Sequence, residues 1–501
     1  MDAAAEQISC MGTESAEREA DVMSPNPFLK VRILFLPALA AAALLAAGCG
    51  SSLTASSAAS SGPMGSAFVV GTDAPLASVV SLQAQLKSIT LTSTTGTTAN
   101  MLGTNTPTVD FARYNGLQGL VDMNDVPAGT YNSVTINLGP VSIGYLDTTK
   151  TPPAITTETA TLTTSSVTIP LNKPLVITAS GGQPVGLRID LDLAQSVQTS
   201  NGAITGTVDP TFDVTTVART DQGAHIDEFV GAVTTPPSSA TATSFVITGP
   251  HGEPFTINVS SSTQWDGGAT LASLNTNSIV AVAGQFDPAD QTLDADEVAL
   301  VSDTAFYAGG LVTYVTPSSG AASSFDFYVR RVLPDSTAVQ LGDIAQVNLT
   351  GNEKYGIYWM HNAFTNLLFN SSALVPGQEI SVGGQASAET NLNALTVSRI
   401  YLQNWGYNGT IVAGSQNSGQ GTFQMQVTGF AGVLVPSTVT VYLGPSCDFR
   451  YGFGAFGDLS DGAKVRVVGL LLKNTTNGQL VLLARHLDGF NFTDFSTTAW
   501  Q

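Results

Sequence analysis

The chain has 501 residues, enough for several domains of about 100–200 residues each. Acidic residues outnumber basic ones 38 to 18, for a net charge of −20, which excludes a general nucleic-acid binder and a surface drawn to anionic lipid by charge. Charged residues make up only 11% against about 25% in an average soluble protein, whereas 43% hydrophobic residues support a packed core. Residues 1–22 are acidic and polar with no apolar periodicity, and Met23 is the expected start of the functional reading frame. Lys30 and Arg32 then precede one long apolar run, Ile33 to Ala47. At fifteen residues it is shorter than the roughly 20 that a spanning helix needs. A positive flank, a short apolar stretch and small residues before a cut site are the parts of a secretory signal.

The run ends in Leu45-Ala46-Ala47-Gly48-Cys49, which resembles the lipobox of bacterial lipoproteins, with Ala46 standing where a larger aliphatic residue is commoner. The resemblance implies removal of residues 1–48, a diacylglycerol on Cys49 and anchoring in a membrane through acyl chains. No acidic residue follows Cys49, so an outer-membrane or cell-surface location is expected over retention at the inner membrane. Residues 49–66 are rich in Ser, Ala and Gly and form a flexible tether. Of the three cysteines, Cys10 would be removed and Cys49 lipidated, which leaves Cys447 without a disulfide partner.

Beyond the tether, period-two alternation dominates, as in Val134-Thr-Ile136-Asn-Leu138 and Leu187-Arg-Ile189-Asp-Leu191-Asp-Leu193. Turn signals such as Pro127-Ala-Gly129 and Asn477-Gly478 separate these runs, and the fold class is all-β. Residues 67–220 are expected to form a β-sandwich of the transthyretin or immunoglobulin type, with Pro127-Ala-Gly-Thr-Tyr131 turning into a strand. The series Phe68-Val-Val-Gly-Thr-Asp-Ala-Pro75, Leu86-Lys-Ser-Ile-Thr-Leu91, Val109-Asp-Phe111, Val126-Pro-Ala-Gly-Thr-Tyr131 and Ile189-Asp-Leu-Asp-Leu-Ala-Gln-Ser196 resembles a bacterial envelope family, domain of unknown function 4382. That resemblance implies an architecture and an envelope address, and no chemistry.

The remainder is internally repeated, with units expected at 226–304, 305–404 and 405–490 and a tail at 491–501. Each unit opens on a glycine strand (Gly231, Gly310, Gly409), continues through a phenylalanine strand (Phe245, Phe325, Phe423) and carries a late glycine (Gly284, Gly384, Gly469) where a barrel must bend. These units resemble another uncharacterised envelope domain, a small barrel similar to an OB-fold, in which closure removes exposed strand edges.

Chemistry is sparse. His225, His251, His361 and His486 share no short motif, and neither a serine-hydrolase elbow nor a phosphate loop is present, so no cofactor or transition metal is expected. Asp287, Asp290, Asp294 and Asp296 could hold Ca²⁺, although their spacing is not that of an EF-hand loop and a turn plus the polar side of a strand is the favoured reading. Asp190 and Asp192 alternate with apolar residues and are expected on the wet face of a sheet. A hydrolase would need such carboxylates to converge in a cleft. Tyr355, Tyr358 and Trp359, an insertion-like aromatic run in the second unit, could stack on a glycan. The leading expectation is a non-catalytic, lipid-anchored envelope protein that binds or scaffolds, with an envelope protein or a glycan as partner.

Overall fold

The computed structural model describes residues 63–489, apart from 75–78, 148–153, 180–183, 202, 222–223, 250–251, 253, 288–289, 291, 335, 337, 358–366, 387–393, 429–433, 436–437 and 451. Strands dominate it, as the alternation predicts. Cys49, Tyr358, Trp359, His251 and His361 lie outside the described residues.

The first domain is a sandwich of two sheets. One has the order Phe212–Ala218, Val185–Asp192, Met64–Ala74, Gly119–Pro127, and the other Thr98–Asn100, Val79–Ser93, Gly129–Asp147, Ala154–Thr159. Met64–Ala74 runs parallel to Val185–Asp192 and antiparallel to Gly119–Pro127, so it is an interior strand. Its apolar residues are consecutive because both of its faces are covered: Ala67 and Val69 enter the sandwich core, while Phe68 and Val70 pack into the core of the first barrel. At the Pro127–Tyr131 turn, the buried Tyr131 hydroxyl donates to the Pro127 carbonyl at 2.8 Å and pins the corner.

Three barrels follow, each closed by five strands, with a short sixth strand, Gln264–Asp266 or Lys354–Ile357, added beside the fifth in the first two. Their strands are Ile226–Thr235, Ser244–Thr248, Pro254–Asn258, Ile279–Asp287 and Thr292–Ser302; Tyr307–Thr316, Ser324–Leu333, Ile344–Asn348, Glu379–Ala386 and Ala394–Gln403; and Trp405–Ile411, Thr422–Val427, Thr438–Arg450, Lys464–Lys473 and Leu480–Asp488. In each, the neighbour order around the barrel is first, second, third, fifth, fourth and back to the first. The third and fifth strands pair in parallel and close each barrel. This is the OB-like connectivity, with one 3₁₀ turn between third and fourth strands in each unit.

The late glycines have a common physical cause. Each sits at a register shift between fourth and fifth strands: Ala283/Gly284, Gly383/Gly384 and Val468/Gly469. A Cβ there would lie 2.2, 2.2 and 2.1 Å from the carbonyl oxygens of Asp294, Thr396 and Leu483. The bulge that bends the sheet into a barrel therefore brings two backbones closer than any side chain permits.

Neighbouring barrels share apolar cores. Ile279, Ala281, Ala299 and Val301 of the first meet Tyr307 and Tyr401 of the second. Leu470, Leu472, Val481 and Leu483 of the third join the core of the second.

Candidate functional site

One segment of the sandwich, Asp110–Gly119, reaches all three barrels. Phe111–Tyr114 forms a single 3₁₀ turn whose Phe111, Ala112 and Tyr114 are buried in the sandwich. The intervening polar residues are left to face outward. Gly116 has φ of +77°, and a Cβ on it would lie 2.4 Å from Val468 Cγ2, so the bare backbone is what allows contact with the third barrel.

Arg113 forms an ion pair with Glu228 of the first barrel, and Arg331 of the second barrel pairs with the same carboxylate. Gln403 Nε2, also from the second barrel, donates to Glu228 Oε1 at 3.0 Å. Gln118 N donates to Asp227 Oδ2 at 2.8 Å, and Asp227 N returns a bond to Gln118 O at 3.0 Å. Toward the third barrel, Asn115 Nδ2 donates to Gly406 O at 2.7 Å and His486 Nε2 donates to Gly116 O at 3.1 Å. Arg485 of the third barrel pairs with Asp227 of the first at 2.8 Å, and Arg466 with Asp488 at 2.8 Å within the third. The first and third barrels thus bond the segment directly, the second meets it through the shared Glu228, and each barrel touches the other two.

The electrostatics follow from burial opposed by opposite charge. Burial works against the Glu228 carboxylate, but Arg331 and Arg113 outweigh it and hold the group below its ordinary range. Asp227 behaves alike, with Arg485 and His225 overcoming burial. His486 has no cation-stabilising surplus: burial pushes it down to about 4, so it is a neutral imidazole donating from Nε2. All nine arginines among the described residues pair with a carboxylate. Guanidinium is the cation suited to this, being planar, weakly hydrated and always charged.

A cleft of about 250 Å³ opens beside this junction, between the sandwich and the second barrel. Asp110, Arg113, Tyr114, Arg330, Arg331 and Leu341 are among its walls. Asp110 accepts from Ser81 Oγ and from Leu82 N, both at 2.9 Å, yet burial raises its pKa despite Arg330.

The residues singled out by sequence fall elsewhere. Tyr355 is not a displayed ring: it packs against the second barrel's core, edge-on to Phe369 at 5.7 Å, and burial pushes its hydroxyl up to about 12. Asp287 and Asp294 share Arg219 at 3.0 and 2.9 Å, Asp296 bonds His225 at 3.2 Å, and Asp290 is exposed. Three of the four carboxylates are thus taken by two basic side chains, and among the described residues no group of three or more His, Cys, Asp or Glu is placed to hold a metal. Asp192 caps a short helix by accepting from Gln195 N at 2.9 Å. Asp190 is a correction: it does not lie on a wet face but beside Arg188 at 3.7 Å with its carboxyl 17% exposed, and burial raises it to about 6. The outer face of its sheet is covered by the first barrel, which alternation within one strand does not reveal.

The third barrel contains the spacing Gly452-x-Gly454-x-x-Gly457. Its loop is closed by its own carboxylate: Asp458 Oδ2 accepts from Gly454 N at 2.7 Å and Ala455 N at 2.9 Å, and only a 3₁₀ turn follows. It is a turn and not a phosphate cradle, which needs free amides at the start of a helix. Cys447 is half-buried, and burial pushes its thiol up to about 12. Ellman's reagent at pH 8 is expected to label it at least about a hundredfold more slowly than free cysteine, and fully in denaturant. Rapid labelling of the folded protein would contradict this placement.

The junction residues were not apparent from sequence. Arg330-Arg331 inside the apolar strand Phe325–Leu333, in a chain so poor in charge, is the one signal that pointed to them.

Residues 66–206 match the family described as Domain of unknown function (DUF4382), and residues 230–299 match Domain of unknown function (DUF5666). No curated protein matches the chain.

Proposed function

We propose that this protein is an exported, lipid-anchored protein of the bacterial envelope that binds or scaffolds without catalysing a reaction. The observation that carries this reading is the junction around Asp110–Gly119. Its buried charges are committed to pairs between domains, Arg113–Glu228–Arg331 and Asp227–Arg485, so they act as fasteners. A sandwich and three barrels fastened at one segment make a stiff body at the end of a tether. The Ser/Ala/Gly composition of residues 49–62 supplies reach, the expected tether being shortened because Met64 already begins the first strand, and acyl chains on Cys49 supply the hold. Envelope proteins are the partners we favour, since Tyr355, the one described ring of the glycan alternative, is packed on Phe369.

Substitution of Cys49 with Ala tests the anchor. The parent protein, expressed in a bacterium that processes lipoproteins, is expected in the membrane fraction with an intact mass equal to residues 49–501 plus acyl groups. Cys49→Ala is expected in the soluble fraction, without that added mass. Membrane association that survives the substitution, or a parent chain that keeps residues 23–48, would contradict the reading.

A further inference from the structure

We infer that the outer face of the second barrel binds an uncharged glycan, stacked on Tyr314 and held by Asp326 and Gln346. These three residues form one row across the neighbouring strands Tyr307–Thr316, Ser324–Leu333 and Ile344–Asn348. The adjacent row, Val315, Phe325 and Val347, is buried in the barrel core, so alternation turns the three outward. Tyr314 is 59% exposed and is the one aromatic left exposed among the described residues.

The first barrel shows that the fold does not require this ring. Both barrels carry the same bulge in the first strand, with register shifts at Val233/Thr235 and Val312/Tyr314. In both, the threonine at the bulge donates to a carbonyl of the facing strand: Thr234 to Val246 at 3.3 Å and Thr313 to Asp326 at 3.2 Å. The row beside it is Thr235, Val246, Thr256 in the first barrel and Tyr314, Asp326, Gln346 in the second. One frame thus carries no ring, carboxylate or amide in the first barrel and all three in the second. Bulges re-aim side chains and are frequent beside functional sites.

The chemistry of the row points to its occupant. A sugar ring offers an apolar C–H face, which stacks on an aromatic plane, and a rim of hydroxyls, which donate to a carboxylate and exchange hydrogen bonds with an amide. Gln346 Nε2 reaches Asp326 Oδ1 only at 3.4 Å, so both groups keep capacity for hydroxyls. The next row on the same face, Thr316, Ser324 and Asn348, adds hydroxyls and a second amide. Asp326 is the one charge in the two rows, so an anionic ligand is repelled and an uncharged, hydroxyl-rich one matches. A protein partner matches less well, because protein interfaces are depleted in the Ser and Asp that this face displays. Strands lie about 4.8 Å apart, so the row spans about 10 Å and suits a chain of sugars better than a single one. The face lies apart from the junction and the lipid anchor, and the inference can fail while the anchored-binder reading stands.

The test is native affinity electrophoresis of the purified full-length chain through gels that hold hydroxyethyl cellulose, glycogen or mannan, with alginate as the polyanion. Retardation by at least one neutral polysaccharide, and none by alginate, is expected. Tyr314→Ala and Asp326→Ala are each expected to weaken binding by about tenfold or more. Both side chains are on the outer face, so the circular dichroism spectrum is expected to stay that of the parent. Thr235→Ala, the matching change in the first barrel, is expected to leave binding as it was. No retardation by any of the neutral polysaccharides, equal retardation by alginate, or unchanged binding in Tyr314→Ala would each overturn the inference. A dimer in sedimentation velocity that Tyr314→Ala dissociates would overturn it too, since a second copy would then cover the face.

Discussion

Replacing Glu228 with Ala is expected to destabilise the protein by about 3–5 kcal/mol in its first unfolding transition. Glu228 is the shared counter-ion of Arg113 and Arg331, and its side chain is only 9% exposed. Removing it strands the Arg113 guanidinium at 15% exposure and leaves Arg331, at 12%, with Glu379 at 3.7 Å as its remaining counter-ion. A buried ion pair adds little net stability when intact, because desolvation offsets attraction, but breaking it on one side leaves a charge that nothing compensates. Glu228→Gln preserves the shape and Gln403's acceptor, so it separates charge from packing: a loss close to that of Ala identifies charge as the cause. Urea unfolding followed by circular dichroism measures both. A loss under about 1 kcal/mol for both variants would mean that the junction is open to water and that its arginines are resolvated.

The second large effect concerns pH. His486 ionises ordinarily at 6.5 but is pushed by burial to about 4. The unfolded chain therefore takes up a proton that the fold refuses, and the contribution of neutral His486 is present above pH 6.5 and lost as pH falls toward 4. At about 1.4 kcal/mol per unit this amounts to about 3 kcal/mol. Asp190 does the reverse. Burial raises it from 3.8 to about 6, so the fold keeps a proton that the unfolded chain releases. Its contribution is fully present below 3.8 and lost as pH rises through 6, again about 3 kcal/mol. The two slopes oppose one another over nearly the same window. Asp190→Asn removes one of them, so its stability is expected to fall by about 3 kcal/mol more than wild type between pH 7 and pH 4. Subtracting the wild-type curve cancels the other titrating groups of the junction, His225 and Asp227 among them. Parallel curves for variant and wild type would contradict the buried placement of Asp190.

What the sequence revealed and what it hid divide along a physical line. Period-two alternation in Val134–Leu138 and Leu187–Leu193 is a local property, and the sheets follow it. The late glycines were legible because barrel closure repeats the same backbone collision three times, at Gly284, Gly384 and Gly469. The consecutive apolar residues Phe68-Val69-Val70 carried a stronger message than a sandwich strand alone, since such a run marks a strand covered on both sides. The junction was hidden because its members are far apart in sequence. Arg113, Glu228, Arg331 and Gln403 come from three domains, and each reads locally as the polar side of a strand or turn. Asp190 misled for the same reason: alternation says which side of a sheet a residue takes, and only tertiary packing says whether that side is wet. Tyr355 was likewise ambiguous, because an aromatic at a strand edge has the same local signature whether it is displayed or, as here, packed on Phe369.

The central claim is that the sandwich and the three barrels are fastened through one segment into a single cooperative body. Differential scanning calorimetry of residues 49–501 carrying Cys49→Ser, beside the same chain with Glu228→Ala, tests it directly. One endotherm is expected for the parent, with calorimetric and van't Hoff enthalpies in agreement, and separated transitions once Glu228 is removed. Several resolved endotherms in the parent, unmoved by the substitution, would mean that the domains melt as independent beads and that the junction fastens nothing.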